Sequence, residues 1–545
     1  MFHNIFSMLG SRLFHGRYFL PMQANGRAGA TVKPSASAKP SSGSQQGRPK
    51  LSLVAPDARP SIPDSQPTPS RVKLPVVKPL PTKAKPLSPK PKPAVSKARS
   101  SASKAQPGAA RKPLYVPVWF KFCTALFFGF AWAIFAALMA TNWIIDLGRI
   151  IGKVPAYLGI YGIAVIPGFM NAFLISSLLM DRRPRCQVRT GPLPAITILV
   201  AAYNEQNSIA ATIESISLQS YPGHVKVIVI NDGSTDRTRQ ILSKISYPWL
   251  TVLNLKKNVG KAEALNEGLK LVTTLLTLTV DGDSYLYKDA LENIVRRYMN
   301  DPVNTRAVAG AVLVRNSRKN MVTRIQEWDY FHGIAAIKRL QSLYQGTLVA
   351  QGAFSVYDTD TLRKIGGWPK TVGEDIVITW AILKAGYRVG FAENACLFTN
   401  APDMWKQFIR QRQRWSRGMI EAFKMHGALL FKPRMTTLFI WWNLSFPYMD
   451  AAFSLMFIPG IVLALFGIYL IVGPMTLLVL PLSFLLNYII FSIQSRMFTE
   501  QGLKVRKNFV GFVLYALCYS LVLQPACVTG YIQEFFVRAK KWGTK

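Results

Sequence analysis

The chain is 545 residues long and half hydrophobic, and its 66 Lys and Arg against 27 Asp and Glu give a formal net charge of +39. Five Cys, at 123, 186, 396, 518 and 527, show no CxxC and no paired spacing, which argues against a disulfide framework or a zinc site. Five His without an HExxH or comparable cluster remove most zinc-hydrolase functions.

Taken from the N-terminus, Phe2, Ile5, Phe6, Leu9 and Leu13 share one helical face with Arg12 and Arg17 outside it. That pattern suits an interfacial helix, not a cleavable signal peptide, which needs an uninterrupted apolar core. Residues 1–113 hold 20 of the Lys and Arg and only two acids, Asp57 and Asp64. Residues 30–112 are Pro, Ser, Ala, Lys and Gln with few large apolar side chains, too little to offset ordering entropy, so a disordered basic tail is expected. No aromatic residue interleaves the cations of 30–112, so nucleic acid is not the expected partner. Anionic lipid headgroups suit this tail better.

Residues 118–140 and 156–180 each supply a mostly apolar run of about twenty residues, the length that crosses a bilayer as helix. They predict a two-helix membrane unit at 114–185. The basic tail before it and Asp181-Arg182-Arg183-Pro184-Arg185 after it place both the tail and the following domain in the cytoplasm.

Residues 186–400 read as alternating strands and helices. The runs 195–202, 225–230, 250–255 and 275–280 are short and apolar or β-branched, as buried strands are, with helices expected at 208–219 and 261–272. This is a doubly wound, Rossmann-like α/β pattern, whose ligand site lies beyond the carboxyl ends of the strands. Polar residues fall there: Asn204-Glu205 after the first strand, Asn231-Asp232-Gly233-Ser234 at the second, Asp281-Gly282-Asp283 at the fourth. Asp281 and Asp283 are two apart in an extended segment, so their carboxylates point to one side. Such a pair suits Mg²⁺ or Mn²⁺ completed by water and phosphate oxygens, and it equally suits an Asx-type turn that ends a strand.

Interfacial helices are expected at 401–434, and they carry Gln411-Arg412-Gln413-Arg414-Trp415. On a helix Gln411, Arg414 and Trp415 share a face and offer an amide for hydroxyls, a guanidinium for diphosphate and an indole for a sugar ring. A membrane-proximal basic helix has the same composition. Trp328, Trp368, Trp405, Trp441 and Trp442 read as packing or interface residues, and His224 and His332 as structural or surface ones. Residues 435–545 are expected to hold three or four further membrane helices. The apolar stretch 435–497, broken by Pro447, Pro459, Pro474 and Pro481, fits two spans plus an interfacial helix or three spans, and 510–531 fits one more. Arg496, Lys504, Arg506 and Lys507 flank one side of that last span and Arg538, Lys540 and Lys541 the other, so charge leaves the count open. Asp450 either faces a channel or sits at a span's edge.

The order of these elements is more specific than any one of them. Ala201-Ala202-Tyr203-Asn204-Glu205, Asn231 to Asp236, Gly260 to Asn266, Asp281-Gly282-Asp283, Gly373-Glu374-Asp375 and the Gln411 to Trp415 motif together resemble the membrane-integrated, processive family 2 glycosyltransferases. That family includes cellulose, chitin, hyaluronan and poly-N-acetylglucosamine synthases, and the resemblance covers residues 196–419. Gly352-Ala353-Phe354-Ser355 and the run after Gly373 are most similar to poly-β-1,6-N-acetylglucosamine synthases. Gly373 departs from them, since those enzymes often carry Thr there, and is more similar to chitin-oligosaccharide synthases.

The resemblance implies a GT-A-type domain inserted between transmembrane helices, multi-pass in the plasma (inner) membrane. It implies inverting transfer from a UDP-sugar, UDP-N-acetylglucosamine above others, to a growing β-linked extracellular polysaccharide, with translocation through the chain's own helices. Tyr203, Glu205, Asp232 and Lys261 would hold the nucleotide, and Asp281 and Asp283 the diphosphate through Mg²⁺ or Mn²⁺, Asp283 being the better ligand. Asp375, paired with Glu374, would be the catalytic base. Gln411 and Trp415 would hold the acceptor sugar, and Arg414 would meet the diphosphate. Direct displacement needs these parts: a base for the attacking hydroxyl and positive charge for the departing UDP. A small membrane subunit is an expected partner by the same analogy. The competing readings are a non-processive lipid glycosyltransferase, a chitin-, hyaluronan- or cellulose-type synthase, and a catalytically silent membrane assembly protein.

Overall fold

The computed structural model describes residues 116–181, 191–344, 346–473, 481, 484–485, 487–492, 495–496, 498–499, 502–503 and 507–536. The basic tail, Cys186, the cations of 182–185, Pro474, Lys504, Arg506, Arg538, Lys540 and Lys541 lie outside the described residues.

Eight strands form one mixed sheet: β1 (Ile196–Ala202), β2 (Val225–Asn231), β3 (Leu250–Asn254), β4 (Leu276–Asp281), β5 (Ser284–Leu286), β6 (Thr305–Val314), β7 (Phe354–Asp358) and β8 (Arg388–Thr399). Their order is β3-β2-β1-β4-β7-β6-β8-β5. The first four pair in parallel, while β4–β7, β7–β6 and β8–β5 pair antiparallel and β6–β8 pair in parallel. β1, β2 and β4 are mostly apolar or β-branched because both their faces are buried under other elements. The doubly wound pattern therefore extends over the first four strands, and the sheet beyond β4 follows a different rule. One helix, Lys261–Lys270, lies so close on the sheet at Gly268 that a Cβ there would be 2.8 Å from Ile230 Cδ1.

Four described helices are long and apolar enough to cross a membrane: Val118–Met139, Lys153–Leu179, Met435–Leu465 and Phe509–Phe536. The α/β domain is fastened to them by polar contacts. Arg339 pairs with Asp181 just after the second helix, and the Tyr344 hydroxyl donates to Ser177 Oγ at 3.0 Å. Asp450 lies inside the third of these helices and accepts a hydrogen bond of 2.9 Å from the Tyr531 hydroxyl of the fourth, so it ties two helices together. Of the Trp and His residues read as structural, Trp368 is buried, and His332 is stacked between Trp328 and Tyr515, where burial lowers its pKa to about 3 and keeps it neutral.

Candidate active site

Register brings the motif-bearing strand ends together. Ala202 of β1 faces Asn231 of β2, and Ala201 faces Asp281 of β4, so the segments after all three strands leave one edge of the sheet side by side. The two loops of that edge are laced together: Asn204 N–H donates to Ser234 Oγ at 3.0 Å, Thr235 N–H to Asn204 Oδ1 at 2.9 Å, and Glu205 N–H to Thr238 Oγ1 at 2.8 Å. Asn204 sits at φ 57°, a left-handed conformation that Asn tolerates better than most residues. The Glu205 carboxylate accepts from Ser208 Oγ at 2.6 Å, and Tyr203 is half-buried beside it.

Asp232 is fully buried and accepts two backbone N–H groups, Val259 at 2.8 Å and Gly260 at 2.9 Å, one on each carboxylate oxygen. Burial pushes its pKa up and these two bonds oppose the rise. Asp232 thus braces the entry to the Lys261 helix, a task its Asn-Asp-Gly-Ser setting does not reveal. Gly260 makes the entry possible, at φ 93° where side chains other than Gly are strained.

Lys261, the first residue of that helix, is 8% exposed and bridges two motifs. Its Nζ lies 2.6 Å from Asp281 Oδ1 and 3.3 Å from Glu374 Oε1. Burial alone would lower the lysine pKa, but the Asp281 and Glu374 carboxylates outweigh it and hold the ammonium charged. Glu374, 4% exposed, is driven the other way: burial raises its pKa, Lys261 pulls it down and Asp375 pushes it up again, leaving it above the usual carboxylate range. Gly352 floors this cluster. A Cβ there would come 2.6 Å from Lys261 Nζ and 3.4 Å from Glu374 Oε1.

Asp375 is half-buried in the first turn of the helix Glu374–Lys384, with Oδ1 accepting from Ile376 N–H at 2.9 Å and Oδ2 from Gly352 N–H at a long 3.4 Å. Asp283 lies across the sheet edge, 3.5 Å from Thr399 Oγ1. Among the described residues no group of three or more His, Cys, Asp and Glu is arranged around one point. Of the two carboxylates expected at a metal, Asp281 is ion-paired with Lys261 and Asp283 lies beside Thr399. Their chemistry, hard carboxylate oxygens, is what Mg²⁺ or Mn²⁺ takes when it is held partly by a diphosphate.

Gln411, Arg412, Arg414 and Trp415 all lie on one helix, Trp405–His426. Gln411 is buried and its Oε1 has no hydrogen-bond partner; neither has the buried Nε of Arg414. Arg414 is close enough to Glu374 to favour the ionised carboxylate. Trp415 is 40% exposed, with Tyr330 at 6.3 Å between ring centroids. Arg412, given no role from sequence, pairs with Asp329 at 2.7 Å and lies 4.1 Å over the Trp415 ring, so it sets the indole from behind. Structure also explains the Gly at 373. Gly373 meets Gly418 of the same helix so closely that a Cβ on Gly373 would be 2.5 Å from Gly418 Cα.

Two residues near Asp375 were not foreseen. Lys338 is buried and donates to Val349 O at 2.8 Å; burial drives its pKa down to about 7, against the pull of Asp375. Thr379 accepts from Ala350 N–H at 2.8 Å and donates to the Asp375 carbonyl. Together they pin the 349–352 strip against the Asp375 helix. A single Lys after the apolar run of 334–337 was the one available signal, and on its own it reads as a helix end.

Residues 194–418 match the family model described as "Glycosyltransferase like family 2". The chain is 27% identical over 288 residues to the poly-beta-1,6-N-acetyl-D-glucosamine synthase of Staphylococcus aureus (strain MSSA476), covering 52% of this chain and 68% of that protein. The same identity and coverage hold for the Staphylococcus epidermidis synthase of that name. Among solved structures, the mannosyltransferase PcManGT from Pyrobaculum calidifontis in complex with GDP-Man and Mn²⁺ aligns with a TM-score of 0.46 at 17% identity, over 73% of this chain and 99% of that one. S. aureus TarS 1-349 in complex with UDP-GlcNAc aligns with a TM-score of 0.30 at 18% identity, over 47% of this chain and 81% of that one. The family-model match, the synthase similarity and the six ordered motifs agree: residues 194–418 form a family 2 glycosyltransferase domain, and the chain that carries it is a glycosyltransferase.

Proposed function

We propose that this chain is a membrane-embedded, inverting polysaccharide synthase that transfers N-acetylglucosamine from UDP-N-acetylglucosamine to the end of a β-linked polymer. The single observation that carries the reading is the Lys261 bridge, with Asp281 at 2.6 Å and Glu374 at 3.3 Å. It puts the carboxylate expected at the donor diphosphate and the helix bearing the expected base around one cation. The unpartnered Gln411 Oε1 and Arg414 Nε add polar groups whose burial is costly unless a ligand satisfies them. The synthase similarity supports the choice of donor.

In this reading the nucleotide rests on the 203–205 loop and against Asp232. Asp375 accepts the proton of the acceptor hydroxyl as its oxygen attacks the anomeric carbon, the bond from that carbon to the diphosphate oxygen breaks, and configuration inverts. Arg414 faces the charge that develops on the departing UDP, where a fixed guanidinium needs no reorganisation. A divalent cation held by Asp281 and Asp283 would neutralise the same diphosphate. Gln411 and Trp415 orient the acceptor's terminal sugar, by hydrogen bond and by stacking. The domain lies on the cytoplasmic face of a multi-pass protein, and the product leaves through the apolar helices on which the acceptor helix rests. Two contacts seat the acceptor helix on the last of these helices: a Cβ on Gly530 would be 2.6 Å from Gln413 O, and Glu534 pairs with Arg417 at 3.2 Å.

The test is turnover of a panel of UDP-sugars by the purified chain with Mg²⁺ or Mn²⁺, followed by digestion of the product with linkage-specific hydrolases. UDP-N-acetylglucosamine should be the preferred donor and yield a polymer. A product that stops at one sugar on a lipid would sink the polymerase reading.

A further inference from the structure

Glu421 lies on the same helix as Gln411 and Trp415, and it is 3% exposed. Helical spacing puts Gln411, Arg414, Gly418 and Glu421 in one stripe. Each end of that stripe has different company. Gln411 and Arg414 carry the unpartnered atoms, whereas the Glu421 carboxylate accepts Val372 N–H at 2.7 Å and Gly373 N–H at 3.1 Å. Val372 and Gly373 immediately precede the helix Glu374–Lys384, which presents Asp375 in its first turn. An anionic carboxylate there satisfies orphan N–H groups and faces the positive end of the helix dipole. Between these contacts Gly373 and Gly418 touch, with the Cβ position of Gly418 only 2.7 Å from Gly373 Cα, so the two backbones leave no room to slide.

We propose that Glu421 is a positioning residue that locks the acceptor helix to the segment bearing Asp375, so that acceptor hydroxyl and base are held in register as one body. This rests on reading Asp375 as the base and Trp415 as the acceptor platform. The donor-side groups, Asp232, Lys261 and Asp281, come from the parallel strands and the Lys261 helix, whereas the backbone groups that Glu421 accepts from belong to the 372–373 segment. Loss of Glu421 should therefore spare nucleotide binding while spoiling transfer, because a misplacement of about 1 Å can cost about 10²-fold in rate. Water should then compete better with the displaced hydroxyl: its oxygen attacks the anomeric carbon and gives up one proton to Asp375, the bond to the diphosphate oxygen breaks, UDP leaves as before, and free N-acetylglucosamine results.

The experiment uses the full chain in detergent with UDP-N-acetylglucosamine, measuring UDP affinity, sugar incorporated and sugar freed to water. Glu421→Ala should lower incorporation about 10- to 100-fold, leave UDP affinity within about twofold, and raise the ratio of freed to incorporated sugar several-fold. Glu421→Gln, whose carbonyl still accepts the two N–H groups, should recover most of the incorporation. Parent-like incorporation and ratio in Glu421→Ala overturns the proposal. So does equal loss of UDP affinity in both variants, which would make Glu421 a general folding residue. Asp375→Asn is the companion control: if it transfers normally, the reading of the base fails, whereas a silent Asp375→Asn beside a parent-like Glu421→Ala refutes the positioning role alone.

Discussion

Lys261→Met removes one buried charge and retains most of the side-chain bulk. In the parent, the ammonium is flanked by Asp281 Oδ1 at 2.6 Å and Glu374 Oε1 at 3.3 Å, and the Glu374 side chain is nearly sealed from water. Removing the shared cation strands a buried carboxylate, and breaking a buried pair from one side costs about 3–5 kcal/mol. For a domain of this size each kcal/mol moves the melting temperature by about 2–4 °C, so the shift should be about 6–20 °C downward. Tryptophan fluorescence reports it, because Trp368 and Trp380 are both buried within the domain. The mechanism makes a second demand. Adding Glu374→Gln to Lys261→Met neutralises the stranded group, so the double variant should be less destabilised than the two single losses added, by about 1–3 kcal/mol. A shift below about 2 °C for Lys261→Met, or strict additivity in the double variant, would refute the bridge as a structural joint.

Three further outcomes follow from the same geometry. Asp375→Asn keeps the shape but cannot accept a proton, so transfer should fall by at least about 10²-fold with UDP binding intact, whereas Asp283→Asn should weaken metal-dependent UDP binding measured by calorimetry. Trp415→Ala should shorten the product more than it weakens UDP binding, while Arg414→Ala should slow donor turnover by about 10²-fold and Arg414→Lys should restore it incompletely; parent-rate elongation by both Ala variants would leave this helix as a basic membrane anchor. Lys338 gives a pH signature: its pKa falls from the ordinary 10.5 to about 7 through burial, so between those values the unfolded chain binds the extra proton and stability should rise with pH. Lys338→Met should flatten the melting temperature between about pH 7 and pH 9, and an unchanged slope would count against a buried neutral amine.

The parallel part of the domain was legible because its information is local. The runs in β1, β2, β3 and β4 are short and apolar, and each active-edge residue sits within a few positions of a strand's end, where the topology must expose it. The expected strand and helix bounds there differ from the observed ones by at most two residues. The part after β4 was less legible. β6 is rich in Ala and Gly, and β8 shifts register against it between Gly310 and Ala311, so neither offers a clean period. The long-range ties were invisible for another reason. Asp329–Arg412, Lys338–Val349 and Glu421–Gly373 join residues 83, 11 and 48 positions apart, and no local pattern encodes which charge a buried cation or carboxylate will meet. Asp232 carries a task besides the nucleotide contact that the resemblance implies: the fold gives both its oxygens to the backbone that positions Lys261.

The arrangement has a mechanical consequence. Lys261 connects the strand ends to the Glu374 helix, and Gly373, Gly418 and Glu421 connect that helix to the helix of Trp415. The Trp415 helix in turn is fastened to the last apolar helix, by Gly530 against Gln413 and by Glu534 between Arg417 and Lys424. Strand ends, Glu374 helix, Trp415 helix and last apolar helix thus form a series of joints, each made by a buried charge or by glycine contact, neither of which stretches gradually. In the proposed synthase a polymer must advance one sugar per cycle while base and anomeric carbon keep their geometry. A chain of stiff joints suits that requirement, because the growing product can move past Trp415 without displacing Asp375 from the donor.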